Sequence, residues 1–148
     1  MTALVVPKPS KPQILIKRTY DHSINDLWEA LTNAKALSVW LMKTDDFELI
    51  EGREFMFTTK PQGGFDGKVY CQVVEFSKPN SLTYSWKSKD MKNPTYVTWE
   101  LTKVSENKTF VSLSHSGFEG INGWITKQIL GFGWKGILSK KLNKYLKG

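Results

Sequence analysis

The stretch that most constrains this chain is its last one, Asn122 to Leu146, which reads as the one long helix of the sequence. Leu130, Trp134, Ile137, Leu138, Leu142 and Tyr145 recur at helical spacing, with Lys140, Asn143, Lys144 and Lys147 on the opposite side. Trp124, Ile125, Ile129 and Phe132 form a second apolar stripe, turned well away from the first at about 100° per residue. The change of stripe falls at Gly131-Phe132-Gly133, where two glycines predict a kink or a gap beside the helix. A helix this apolar requires a partner surface.

The rest of the chain supplies strands. Residues 1–12 contain Pro7, Pro9 and Pro12 without periodicity and read as a flexible tail; residues 13–148 form a single domain. Gln13 to Asp21 is the first strand. Ser23, three residues before Asp26, is placed to cap a helix through about Asn33, with Leu27, Trp28 and Leu31 on its apolar stripe. Ala34 to Leu41 forms a second short helix. From there the period becomes two. Six strands are expected over Asp45–Ile50, Arg53–Lys60, Lys68–Phe76 and segments centred on Tyr84, Trp99 and Leu113, separated by turns such as Pro61-Gln62-Gly63-Gly64. Apolar residues inward and polar residues outward mean antiparallel hairpins with one wet face. The result is an α+β fold: a curved antiparallel sheet wrapped around the last helix, with room for a cavity between the two.

The composition narrows the functions available. The single cysteine, Cys71, excludes an internal disulfide, and two histidines, His22 and His115, are too few for a metal site without acids. There is no phosphate-binding glycine loop, no Cys-x-x-Cys and no His-Glu-x-x-His. No acid–base pair emerges, because Glu100 has the parity of the wet face while His115 shares that of Val111 and Leu113. No catalysis, cofactor or metal is therefore expected. No apolar run reaches the roughly 20 residues of a membrane span, no leader is evident, and a cytoplasmic location is the simplest reading. Of the 21 basic residues, six lysines fall between Ile121 and Gly148, a segment with no acid. The remaining fifteen nearly balance the 14 acids, so the net charge of +7 sits on the last helix. Lys135, Lys140, Lys144 and Lys147 are the candidate contacts for an anionic partner, against the simpler reading of a solvated helix face. Single-stranded nucleic acid would need the aromatics exposed beside those lysines, and most lie on apolar faces instead.

The interior positions give the candidate ligand site. Phe55, Phe57, Trp86, Trp99 and Leu113 sit on the apolar parity of their strands, and Trp134 on the helix stripe. Together with His115 they are expected to line a pocket for a flat or lipid-like hydrophobic molecule. His115 is either a core histidine satisfied by a tyrosine or a backbone group or the polar contact of that ligand, and Lys141, which falls within the apolar arc of the helix, either snorkels at the helix end or is a second contact.

Several segments in order resemble a known family. Asp26-Leu27-Trp28-Glu29-Ala30-Leu31-Thr32, Val39-Trp40-Leu41 and Gly52-Arg53-Glu54-Phe55 come first. Gly67, Val73-Val74-Glu75, Pro79 and Leu82-Thr83-Tyr84-Ser85-Trp86 follow. Val111 to Phe118, Gly133-Trp134, Leu138 and Tyr145-Leu146 complete the set. From about Ile14 to Leu146 the chain is similar to the SRPBCC (START-like) superfamily, and within it to the Hsp90 ATPase activator homologue (Aha-type) domain. The resemblance implies the helix-grip fold and non-catalytic binding of a hydrophobic small molecule; some relatives are cyclases or hydrolases. It also implies the alternative of a co-chaperone docking on a chaperone through its lysine-rich helix. Eukaryotic co-chaperones carry this domain behind a separate N-terminal domain for which this chain has no room. The stretch from Gly120 to Gly133 departs from the family pattern in being more apolar.

Overall fold

The computed structural model describes residues 13–148, and the side chains of all of these except 121 and 122; the expected tail over residues 1–12 lies outside them. The strands are β1 (Gln13–Tyr20), β2 (Glu54–Thr58), β3 (Lys68–Ser77), β4 (Ser81–Lys87), β5 (Thr95–Ser105) and β6 (Lys108–Ser116). They form one antiparallel sheet in the order β1-β6-β5-β4-β3-β2, with β1 and β2 at its edges. The helices are α1 (Ile24–Thr32), α2 (Ala34–Trp40), α3 (Gly120–Gly136) and α4 (Leu142–Lys147), the last two joined by a π-helical turn over Ile137–Lys141.

The period-two reading of the strands holds. Along β5, Thr95, Val97, Trp99 and Leu101 are buried, while Glu100 and Thr102 face water. Ser23 caps α1, its hydroxyl accepting the Asp26 amide at 3.1 Å. Asn33 repeats the device for α2, taking the Ala36 amide at 3.0 Å. Such caps satisfy amides that have no intrahelical acceptor. The Trp40 indole then ties α2 to α1 by donating to the Ala30 carbonyl at 2.8 Å.

Two expectations need correction. Asp45–Ile50 is not a strand, so five strands rather than six follow the short helices. The Asp46 carboxylate accepts the Met56 amide at 3.2 Å and the Thr44 hydroxyl at 3.3 Å, and the Asp46 carbonyl accepts Arg53 Nε at 2.9 Å. A side chain thus occupies an edge amide of β2 that a neighbouring strand would have used. The segment runs past the sheet as an irregular loop, anchored by buried Phe47.

The last helix does not break at its glycines either. α3 continues through Gly131 and Gly133, and the irregularity lies one turn further on. A methyl at Gly131 would meet Ile14 at an ordinary 3.7 Å, and one at Gly133 would meet nothing within 4 Å. Glycine permits a break without imposing one, and the α-helix runs on through both positions. Trp134, Leu138 and Leu142, four residues apart, are all buried. In a regular α-helix that spacing drifts by about 40° per step. The π turn, in which Leu142 N–H donates to Ile137 O, takes more residues per turn and winds the drift back. The Leu138 carbonyl is thereby released from Leu142 and accepts the Tyr20 hydroxyl at 2.8 Å. Burial raises the Tyr20 pKa to about 12, against the opposing pull of Arg18, so the hydroxyl stays a donor. Tyr20→Phe should cost roughly 1–3 kcal/mol by leaving that buried carbonyl unpaired, read as a lower urea midpoint at unchanged slope.

Candidate functional site

All seven residues expected to line an interior pocket come together between the sheet and the helix, and each is buried. Their rings pack against one another there. Phe55 meets Phe57 edge-on at 5.4 Å between centroids, Phe57 lies 5.9 Å from Trp86, and Trp86 lies 5.4 Å from Trp134. Trp134 meets Trp99 edge-on at 5.7 Å, and Leu113 belongs to the same core. Tilted and edge-on rings at such spacings interlock with the density of a protein interior.

His115 lies at the centre of this array, and its hydrogen bonds fix its tautomer. The Trp134 indole can only donate, and it reaches His115 Nδ1 at 3.0 Å. Nδ1 is therefore the acceptor and Nε2 carries the proton. Nε2 donates to Thr95 Oγ1 at 2.7 Å, and Thr95 in turn donates to the Trp86 carbonyl at 2.7 Å. One directional chain runs from the helix through β6 and β5 to β4. Both ring nitrogens are engaged within the core, which fits the satisfied core histidine of the two readings, its partners being Thr95 and Trp134. Gly117 sets the exit from β6. Its φ of +100° suits glycine, and a Cβ there would come within 3.3 Å of Thr95 Cα. The turn lays Phe118 against the imidazole at 4.8 Å.

Of the two readings of Lys141, the one that reaches solvent holds and the ligand-facing one does not. Lys141 is exposed, because the π turn shifts the register of the helix surface just where the α-helical wheel had placed it inward. Lys135, Lys140, Lys144 and Lys147 are exposed as expected. Cys71 is buried, with its thiol pKa raised by desolvation and, secondarily, by Asp46. Among the described residues no cluster of histidine, cysteine and acids could hold a metal, and no helix is long and apolar enough to cross a membrane.

An open cleft does exist, on the outside. It has a volume of about 480 Å³ and lies between edge strand β1 and the C-terminal helix. Leu15, Ile16, Phe132 and Gly136 give it apolar surface; Lys17, Arg18, Lys135 and Lys140 give it four cations and no acid. Among the described residues none of these four cations forms an ion pair. Phe132 is 85% exposed and Leu15 50%. Sequence reasoning found Lys135 and Lys140 but missed the β1 side. The available signals were Lys17-Arg18 on an edge strand and the second helical stripe, which the sheet leaves uncovered.

Burial among uncharged neighbours lowers the His115 pKa to about 3. The unfolded chain takes up this proton near pH 6.5, the folded protein only near pH 3. The stability held by the neutral imidazole is therefore complete above about pH 6.5 and is lost as pH falls toward 3. The limiting slope is about 1.4 kcal/mol per pH unit. His115→Gln should be less stable at pH 7.5, with the gap to wild type narrowing by about 1 kcal/mol per unit below pH 6. Urea unfolding of both proteins across that range measures it.

Comparison with known proteins agrees with this fold. A search of curated proteins found no significant match. Among solved structures, a protein from Mesorhizobium loti superposes with a TM-score of 0.79 at 24% identity, over 91% of this chain and 96% of the other. An HSP90 activator from Plasmodium falciparum gives 0.68 at 23% identity, over 88% and 90%. CalU16 from Micromonospora echinospora gives 0.71 at 22% identity, over 90% and 75%. Similarity at this level establishes the helix-grip architecture. The sequence model of the family described as "Activator of Hsp90 ATPase homolog 1-like protein" matches residues 21–147. The chain belongs to that family.

Proposed function

We propose that this protein is a non-catalytic binding module for a hydrophobic small molecule that carries an anionic group, held in the cleft between β1 and the C-terminal helix. The observation that carries this reading is the composition of the cleft: Phe132 and Leu15 beside four cations that form no ion pair among the described residues. Its volume of about 480 Å³ lies within the range of small-molecule sites. The apolar surface would hold an acyl or aromatic body, and Lys17, Arg18, Lys135 and Lys140 its carboxylate or phosphate. Binding without chemistry accords with His115, whose two nitrogens are both engaged in the core. The fold's common theme of hydrophobic-ligand binding also supports the reading.

A second reading rests on a different observation. The structural relative from Plasmodium falciparum is an HSP90 activator, and Lys135, Lys140, Lys144 and Lys147 present an acid-free face that would suit an acidic chaperone surface. Its direct test is ATPase stimulation of a chaperone by this protein, abolished near 1 M salt, where the Debye length falls to about 3 Å.

The ligand reading is tested by titrating the protein with dodecanoate and with dodecanol while following backbone amide shifts. Shifts should gather at Leu15–Arg18 and Phe132–Lys140, with the acid binding about tenfold more tightly than the alcohol, and Phe132→Ala should weaken the acid about tenfold, near 1.4 kcal/mol. Shifts confined to Trp99 and His115 would move the site to the interior.

A further inference from the structure

We propose that the outer stripe of α3 docks this protein on an anionic lipid surface. The apolar stripe it starts from lies outside the cleft, the cations are shared with it, and the inference goes beyond the ligand reading. Trp124, Ile125 and Ile129 are 57%, 47% and 67% exposed, and none of them lines the cleft. Ile125, Ile129 and Phe132 follow one another at i, i+4 and i+7, so they share one face of the helix, and Trp124 stands beside it. That face is turned from the buried stripe of Trp134 and Leu138, which leaves α3 apolar on two sides.

Charge identifies the occupant. Lys135 and Lys140 on the helix and Lys17 and Arg18 on β1 surround Phe132. Neither Gln13–Tyr20 nor Gly120–Gly148 contains an acid, and the nearest along the chain are Glu119 and Asp21. Asp21 is already paired with Lys108 at 3.9 Å, and the Glu119 carboxylate accepts from Asn93 at 3.4 Å. The apolar side chains stand singly on a convex helix rather than line a groove, and most of the cations are lysines, point charges on flexible stems. A folded partner would have to offer carboxylates at fixed positions. A fluid layer of anionic headgroups satisfies the same lysines without fixed geometry, while the apolar face sinks roughly 5–10 Å into the headgroup boundary.

The test is co-sedimentation with vesicles of phosphatidylglycerol mixed with phosphatidylcholine, against vesicles of phosphatidylcholine alone, at about 0.1 M salt. Five of the six tryptophans are buried, so quenching by brominated acyl chains reads Trp124. Binding should require the anionic lipid, should quench that tryptophan, and should weaken about fivefold for each of Lys135→Gln and Lys140→Gln. The pair Ile125→Ser and Ile129→Ser should weaken it at least about tenfold. Both isoleucines are exposed, so the melting temperature should not fall, and neither lines the cleft, so the dodecanoate titration should be unchanged. Vesicle binding that persists in a protein failing to bind dodecanoate would support this docking and remove only the ligand reading. Equal binding to both vesicle types, or to neither, would overturn the proposal. So would anionic binding without Trp124 quenching or with no response to the isoleucine pair, which is adsorption by charge alone. A dimer in solution that the isoleucine pair dissociates would overturn it too, by assigning the stripe to a second copy.

Discussion

The hydrogen bond from Trp134 to His115 is the contact on which the rest of this structure depends. It joins the one long helix to the sheet through two polar groups in a space otherwise filled by aromatic rings. A buried donor or acceptor left unpaired costs about 1–3 kcal/mol, so the array tolerates these atoms only because each has a partner. His115 meets Thr95, Thr95 meets the Trp86 carbonyl, and every donor in the chain points the same way. The helix is thereby fixed in rotation as well as in depth. That rotation in turn brings Lys135, Gly136 and Lys140 opposite β1 and opens the outer cleft.

The two halves of the C-terminal segment consequently have different standing. From Trp134 onward the helix is gripped by indole, imidazole and tyrosine hydroxyl, with the π turn keeping Leu138 and Leu142 on the sheet. Before Trp134 it carries apolar side chains that no part of the described fold covers. Membership of the Hsp90-activator-like family accounts for the grip and leaves this outer surface unexplained. The outer cleft and the α3 stripe are the candidate binding surfaces, where apolar side chains and cations stand together.

Much of the architecture was legible in the sequence because strand parity and helical spacing both report burial directly. Val97, Trp99 and Leu101 announce an inner face, and Trp134, Leu138 and Leu142 a helix seated on it. Ser23 gave the start of α1 by its chemistry alone. The misread elements share a cause. Asp45–Ile50 has strand composition, yet the Asp46 carboxylate takes the backbone amide that pairing would need, and no periodicity reveals where a side chain will hydrogen-bond across a turn. The π turn adds a residue without changing composition, so a wheel drawn at constant pitch put Lys141 inward. Parity correctly gathered the aromatic set, but it cannot distinguish a lined cavity from a packed one, which depends on ring angles such as the edge-on contact of Trp99 with Trp134.

The directional chain has a consequence for how such a core could diverge. Trp134, His115 and Thr95 lie on three separate elements, yet each supplies what the next lacks. Replacing the tryptophan strands the imidazole acceptor, replacing the histidine strands an indole donor, and replacing the threonine strands Nε2. Single steps away from this arrangement all pass through an unmatched polar atom in a dry interior, whereas exchanging the trio together for apolar side chains of similar volume need not. The three positions therefore behave as one heritable unit, free to be kept or to be lost together, even though 39 residues of chain separate the first from the last.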